Sequence, residues 1–90
     1  MMKRLHALVS GRVQNVGFRY FVDTEASRMN LVGWVRNLPD RQVEVLAEGD
    51  EETLKRFLER LKIGPSGANV QSVFTTWSEA VGEFYTFSIH

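Results

Sequence analysis

The sequence predicts an α+β protein with a ferredoxin-like fold, in which two helices cover one face of an antiparallel sheet of four to five strands. Segments in which apolar residues alternate with period two are interrupted by two segments in which they recur every three or four positions. The order of these segments is β-α-β-β-α-β followed by a terminal strand. Two amphipathic helices bury their apolar stripes most simply against one face of such a sheet. The pairing of the last two strands stays open at this point.

The first strand runs into a loop bounded by glycines, and a helix follows directly. Leu5, Ala7 and Val9 alternate with their neighbours, and Gly11 ends the strand. The loop extends to Gly17. A helix over residues 18–30 then presents an apolar stripe of Phe18, Phe21, Val22, Ala26 and Met29. The positions expected in solvent are Arg19, Asp23, Glu25 and Arg28.

A hairpin and a second helix come next. Asn30 ends the first helix, residues 31–35 read as a strand, and Pro39 marks a turn over residues 38–41. The third strand alternates through Val43, Val45 and Ala47. Asp50 can cap the second helix, and Gly64-Pro65 ends it. Its apolar stripe is Leu54, Phe57, Leu58 and Leu61, and its solvent-facing residues are Lys55, Arg56, Glu59 and Arg60.

Two further strands complete the chain. Val70, Val73 and Trp77 belong to a long fourth strand. The last strand is expected over residues 84–89, with Tyr85, Phe87 and Ile89 on one side.

Composition limits the class of protein and its partners. Ninety residues form one domain, residues 1–90, and the charges balance, with 11 basic and 11 acidic side chains. Nucleic-acid binding depends on a basic excess, so no nucleic-acid partner is expected. No apolar segment approaches the roughly 20 residues that span a bilayer, and no signal peptide is visible. We therefore expect a cytoplasmic monomer without a membrane partner.

Metal and redox chemistry have no support in the sequence. There is no cysteine, which excludes disulfides, thiolate catalysis and sulfur-ligated metal sites. The two histidines, His6 and His90, stand far apart and make no ligand pattern. No metal and no cofactor are expected.

The most informative prediction places Arg19 beside Asn37. A helix over residues 18–30 covers roughly 20 Å, and a strand over residues 31–37 covers roughly 23 Å. The chain therefore runs down the helix and returns along the strand to the same end of the sheet. Asn37 should arrive next to Arg19 and the loop that ends at Gly17.

This corner has the properties of an anion site. The first N–H groups of a helix have no partner within the helix, and a glycine-bounded loop can direct further amides the same way. The guanidinium of Arg19 adds a planar fork that matches phosphate oxygens. The loop is not a nucleotide P-loop, because Phe18 and Arg19 stand where that motif has Lys and Ser or Thr.

Each of these residues also has a structural interpretation. Arg19 could simply pair with Asp23 one helical turn away, and Asn37 could satisfy its own backbone in the turn. The remaining polar and aromatic candidates are interpreted as structural. His6 is a strand residue, Arg12 and Arg36 are surface charges, Trp34 and Trp77 are packing residues, and Glu51-Glu52 begins a helix.

The sequence resembles the acylphosphatase family over essentially its whole length. Gly-Arg-Val-Gln-Asn-Val-Gly-Phe-Arg at 11–19 is similar to the first signature of that family, and Gly-Trp-Val-Arg-Asn-Leu-Pro-Asp at 33–40 to its second. Similarity continues through residues 43–49, Gly64-Pro65 and the terminal Gly-x-Phe-x-x-Phe at 82–87. The resemblance implies an enzyme that hydrolyses the carboxyl-phosphate bond of small acyl phosphates without a metal ion.

The resemblance also implies a role for each site residue. Arg19 would bind the phosphate, and Asn37 would position the attacking water. The main-chain amides of Gln14, Asn15, Val16, Gly17, Phe18 and Arg19 would cradle the phosphate oxygens. A carboxylate leaves without needing a proton, which suits a corner where no histidine or carboxylate is expected. We therefore expect water held by Asn37 to attack in line, with a substrate phosphate oxygen accepting its proton.

Two positions depart from the usual family pattern. Asn15 and Arg41 stand where glycine is common. Asn tolerates a left-handed conformation better than other non-glycine residues, so the loop should keep its shape. Arg41 should alter only the hairpin turn.

Two other functions are compatible with the fold. One is a non-catalytic module that binds phosphate or an acyl phosphate and acts with a separate partner, since similar domains occur within larger carbamoyl-transfer proteins. The other is an RNA-binding module, which would need basic and aromatic residues on exposed strand positions. That second pattern is not evident.

Overall fold

The computed structural model describes residues 1–90, and its secondary structure follows the predicted order. The elements are β1 (Met2–Arg12), α1 (Phe18–Arg28), β2 (Val32–Asn37), β3 (Val43–Asp50), α2 (Glu51–Ile63), β4 (Asn69–Glu79) and β5 (Phe87–Ile89). The strands form one sheet in the order β4-β1-β3-β2-β5. The ferredoxin-like α+β fold is therefore confirmed. Neither helix combines the length and the apolar character that a membrane span requires.

The hydrophobic core lies between the two helices and one face of the sheet. Leu5, Ala7 and Val9 of β1 are fully buried, as their alternation predicts. They belong to a single cluster with buried residues of both helices, including Val22 and Phe57. The β1–β3 register sets Leu5 opposite Ala47, Ala7 opposite Val45 and Val9 opposite Val43. Period-two alternation therefore places the apolar side chains of both strands on the same face of the sheet.

Local signals set the ends of both helices. α1 ends with Asn30 in the left-handed conformation (φ 59°), and the N–H of Leu31 donates to the oxygen of Ala26 at 2.9 Å. At α2 the Asp50 carboxylate accepts the N–H of Glu52, and Gly64 (φ 71°) follows the last residue. The predicted stop at Asn30 and the predicted caps of α2 are confirmed, although α1 itself ends two residues earlier than the predicted span.

The solvent exposure predicted for Glu25 and Arg60 is wrong. Glu25 is buried, and its carboxylate accepts from Arg60 Nε at 3.1 Å and pairs with Arg28 at 3.4 Å. Arg60 is half-buried because its guanidinium crosses from α2 to α1. The partner of Glu25 comes from another helix, so the periodicity of α1 alone cannot reveal it.

The last strand is shorter than predicted and runs parallel to its neighbour. β5 pairs with β2 in parallel, whereas the other neighbouring strands are antiparallel, so the sheet is mixed. β4 and β5 occupy opposite edges, about 19 Å apart at ~4.8 Å per strand. The chain uses residues 80–86 to cross this distance, and the N–H groups of Val81 and Gly82 bind Glu48 on the way. Tyr85 consequently lies in the crossing segment and is exposed, not in a strand.

Candidate active site

The loop between β1 and α1 is attached to the body of the protein through its first two residues, Val13 and Gln14. Val13 is buried in the core, and the side-chain nitrogen of Gln14 donates to the main-chain oxygens of Leu38 at 2.8 Å and Gln42 at 2.9 Å. These two oxygens lie in the turn that follows β2. The loop and the end of β2 are therefore held together by side-chain hydrogen bonds.

Two left-handed residues give the loop its curvature. Asn15 has φ 64° and Gly17 has φ 77°. The prediction that Asn15 adopts this conformation is confirmed. Arg41, the other departure from glycine, is left-handed as well, with φ 77°, and lies in the hairpin turn as predicted.

The N-terminus of α1 opens toward the loop without a capping side chain. Gly17 is the N-cap residue, no side chain accepts from the first turn, and that turn carries no acidic residue. The first N–H groups of a helix have no partner within it, and the helix dipole adds partial positive charge there. An anion can therefore bind at this end of α1.

Arg19 does not form the structural pair that its position on α1 allowed. Its guanidinium makes no ion pair with Asp23; instead Nη1 donates to the main-chain oxygen of His90 at 2.8 Å. This contact uses one of the five donors of the guanidinium. The other donors stay free for a ligand at the end of α1.

Asn37 faces the same cavity as Arg19. It is the last residue of β2, and its side-chain amide makes no hydrogen bond with the protein. A cavity of about 210 Å³ is lined by Val13, Asn15, Gly17, Phe18, Arg19, Tyr20, Asn37 and Ile89. The predicted convergence of Arg19, Asn37 and the loop is thus present in the structure.

The remaining loop residues divide between the cavity and its surroundings. Asn15, Gly17 and Phe18 line the cavity with Arg19, whereas Gln14 lines a neighbouring groove and Val16 packs against the core. That the amides of residues 14–19 bind phosphate stays a prediction.

Three residues that line the cavity were not predicted as site residues: Val13, Tyr20 and Ile89. Tyr20 follows Arg19 on α1 and is largely exposed. Ile89 reaches the cavity only because β5 pairs with β2, where Ile89 stands opposite Val35. Position next to Arg19 could have indicated Tyr20, but no local signal indicates Ile89.

The cavity contains no carboxylate or imidazole side chain. Glu44, a carboxylate of β3, belongs to the face of the sheet away from the core, where His6 Nε2 lies 2.7 Å and Arg36 Nε 2.6 Å from its oxygens. Burial by itself raises the pKa of Glu44, but the hydrogen bonds from His6 and Arg36 outweigh it and lower that pKa. Glu44 is thus ionised and is paired with His6 and Arg36. Because it does not line the cavity, the positive charge of Arg19 there is not neutralised by a carboxylate.

Known proteins resemble this chain over the whole candidate site. A family model described as Acylphosphatase matches residues 5–89. An acylphosphatase of Bacillus velezensis is 48% identical, with 98% of each chain covered. The crystal structure of an acylphosphatase from Bacillus subtilis matches with a TM-score of 0.95, 43% identity and 98% of each chain covered. Full-length HypF in the phosphate- and nucleotide-bound form matches with a TM-score of 0.87 and 28% identity, over 100% of this chain and 12% of that one.

Proposed function

The chain belongs to the acylphosphatase family and its activity is the hydrolysis of acyl phosphates to a carboxylate and inorganic phosphate; we propose that Arg19 and Asn37 carry out this reaction. The observation that supports their roles best is that both side chains line one cavity at the N-terminus of α1. Neither residue is engaged by an acidic side chain there.

Arg19 binds and neutralises the phosphate in this proposal. Its contact with the main-chain oxygen of His90 holds the guanidinium in place, while the free N–H groups donate to two phosphate oxygens as a fork. The amides of the loop and of the first turn of α1 complete the cradle. Positive charge from Arg19 and the helix end thus meets the negative charge of the transferring group.

Asn37 positions the water. Its amide has no protein partner, so its oxygen is available to accept a hydrogen bond from a water molecule next to the phosphorus. The water oxygen forms a bond to phosphorus as the bond from phosphorus to the acyl oxygen breaks. A phosphate oxygen takes the proton of the water, and the acyl group leaves as a carboxylate. The leaving group needs no proton, which agrees with a cavity that lacks an acidic side chain.

The protein therefore contributes position and charge, the usual requirements of phosphoryl transfer. Two charge-assisted hydrogen bonds from Arg19, at about 1.5–3 kcal/mol each, correspond to roughly 10²–10⁴ in rate. Lys at this position would keep the charge but lose the fork, so it should restore little activity.

The test is the hydrolysis of benzoyl phosphate, with EDTA present, by the wild type, Arg19→Ala, Arg19→Lys and Asn37→Ala. We expect turnover in the wild type and losses of about two orders of magnitude or more in both alanine variants. Arg56→Ala is the matched control, since Arg56 is an exposed arginine on α2 that lines none of the site. Circular dichroism and thermal melting check that each variant is folded. Full activity of Arg19→Ala or Asn37→Ala would remove that residue from the mechanism.

We further propose that the chain acts on its small-molecule substrate as a monomer in the cytoplasm. Light scattering during size-exclusion chromatography tests this oligomeric state. A folded wild type that binds phosphate but does not hydrolyse benzoyl phosphate would favour the alternative, a binding module that acts with a separate partner.

A further inference from the structure

Unpaired positive charge is concentrated at one corner of a protein whose net charge is zero. Of the lysine and arginine side chains, all but four pair with a carboxylate within 4.0 Å. The four without such a partner are Arg12, Arg19, Arg41 and Arg56. Three of them lie around the loop between β1 and α1. Only Arg56 lies elsewhere.

Arg12 and Arg41 line a groove beside the phosphate cavity. The groove has a volume of about 500 Å³ and is bounded by Gly11, Arg12, Val13, Gln14, Asn15 and Arg41. Val13 and Asn15 line the cavity that contains Arg19 as well, so the two spaces adjoin along the loop. An acyl group bound to a phosphate in the cavity can extend into this groove.

The nearest acidic side chain does not neutralise these guanidinium groups. Asp40 precedes Arg41, but its carboxylate accepts the main-chain N–H of Gln42 at 3.0 Å and pairs with neither Arg41 nor Arg12. No carboxylate lines the groove. Two free guanidinium groups at one groove form a binding site for a carboxylate or a phosphate.

We propose that Arg12 and Arg41 form a second anion subsite, which favours acyl phosphates whose acyl group carries its own negative charge. This inference rests on the proposed function and specifies its substrate class. It revises the interpretation of Arg12 as a surface charge, and it assigns to Arg41 more than an effect on the turn. An uncharged acyl group gains no charge-assisted contact at this subsite.

The experiment compares benzoyl phosphate with its 3-carboxy and 4-carboxy derivatives, which share one rigid ring and differ in one charge. The readout is the ratio of kcat/KM for each carboxylated substrate to kcat/KM for benzoyl phosphate. The variants are Arg12→Gln, Arg41→Gly and the double substitution. Glycine suits the left-handed backbone at position 41, and glutamine removes the charge of the exposed residue 12 while keeping a polar side chain, so both variants should fold.

We expect the wild type to prefer at least one carboxylated substrate. The double variant should lose this preference by roughly fivefold to tenfold, and each single variant should lose part of it. Added salt should reduce the preference of the wild type, because the guanidinium groups are close to solvent. Arg56→Ala, the matched loss of an unpaired arginine, should leave the ratio as it is in the wild type.

Two results would overturn the proposal. A ratio in the double variant within twofold of the wild-type ratio would show that Arg12 and Arg41 do not bind the charged acyl group. The proposed function would still stand if the wild type hydrolysed benzoyl phosphate. A folded wild type that hydrolyses none of the three substrates would overturn the proposed function together with this inference.

Discussion

Gln14 and Leu38 are joined by a hydrogen bond of 2.8 Å from the side-chain nitrogen of Gln14 to the main-chain oxygen of Leu38. The same nitrogen donates to the oxygen of Gln42 at 2.9 Å. Leu38 follows Asn37 directly, so this side chain connects the loop proposed to bind the phosphate with the strand end proposed to position the water. We infer that Gln14 is a positioning residue for these two halves of the site.

Replacing Gln14 should impair activity more than stability. Both carbonyl groups keep a main-chain partner without Gln14, because Arg41 donates to Leu38 and Leu38 donates to Gln42. Gln14→Ala should therefore cost only about 1–2 kcal/mol of unfolding free energy. It should lower kcat/KM for benzoyl phosphate by roughly tenfold, because the loop and Asn37 are no longer aligned. Steady-state kinetics and urea unfolding measure the two effects.

Gln71→Ala is the matched control for this prediction. Gln71 is an exposed glutamine of β4 whose side chain makes no hydrogen bond. Its replacement should leave both measurements close to those of the wild type. Unchanged kinetics in Gln14→Ala would show that the loop keeps its position without this side chain.

The glycine of the second sequence motif is needed for packing. A Cβ at Gly33 (φ 139°) would lie 1.9 Å from the main-chain oxygen of Leu46, whereas a Cβ at Gly17 (φ 77°) would meet no atom within 4 Å. Gly33→Ala should therefore destabilise the protein by about 3 kcal/mol or more. Gly17→Ala, which suffers only backbone strain, should cost about 1 kcal/mol. Thermal melting compares the two, and similar melting temperatures would contradict this interpretation.

Arg41 carries a backbone cost that glycine would remove. Its φ of 77° is left-handed, a conformation that costs a residue with a Cβ about 1–2 kcal/mol. Glycine avoids this strain but gains more freedom in the unfolded chain, at about 0.5–1 kcal/mol. Arg41→Gly should therefore stabilise the protein by about 0.5 kcal/mol, and Arg41→Ala should not. Equal unfolding free energies for the two variants in urea would rule out strain at this position.

Glu48 should make the stability depend on pH in the acid range. Burial raises the pKa of this carboxyl, but hydrogen bonds from the N–H groups of Val81 and Gly82 and from Arg4 outweigh burial and lower that pKa from its ordinary value. Since the folded pKa lies below the unfolded one, the contribution of Glu48 is fully present above the unfolded value. It is lost as the pH falls through the folded pKa.

Glu48→Gln should thus lower the unfolding free energy by about 2–3 kcal/mol near pH 7. This difference from the wild type should become smaller as the pH falls below the pKa of Glu48 in the unfolded chain. Glu59→Gln is the control, because Glu59 lies exposed on α2 with only Lys62 as partner. That exposed pair should be worth less than about 1 kcal/mol. Urea unfolding at a series of pH values tests this, and a difference for Glu48→Gln that does not vary with pH would refute the assignment.

The sequence by itself determined the local structure and the convergence of Arg19 with Asn37. Alternation at Leu5, Ala7 and Val9 and the stop at Asn30 are local signals, because side-chain direction and turn conformation depend on neighbouring residues. The lengths of one helix and one strand then bring Arg19 and Asn37 to the same end of the sheet, since rise per residue is nearly constant.

Only the tertiary structure decided which distant residues meet. The parallel pairing of β5 brings Ile89 to the cavity and places the oxygen of His90 on Arg19. Packing of α2 against α1 buries Glu25 beside Arg60, and the hairpin turn brings Arg41 to the groove. These contacts join residues far apart in the chain, and their partners are selected by packing, burial and charge over the whole fold. A repeating pattern within one helix or strand cannot predict these contacts.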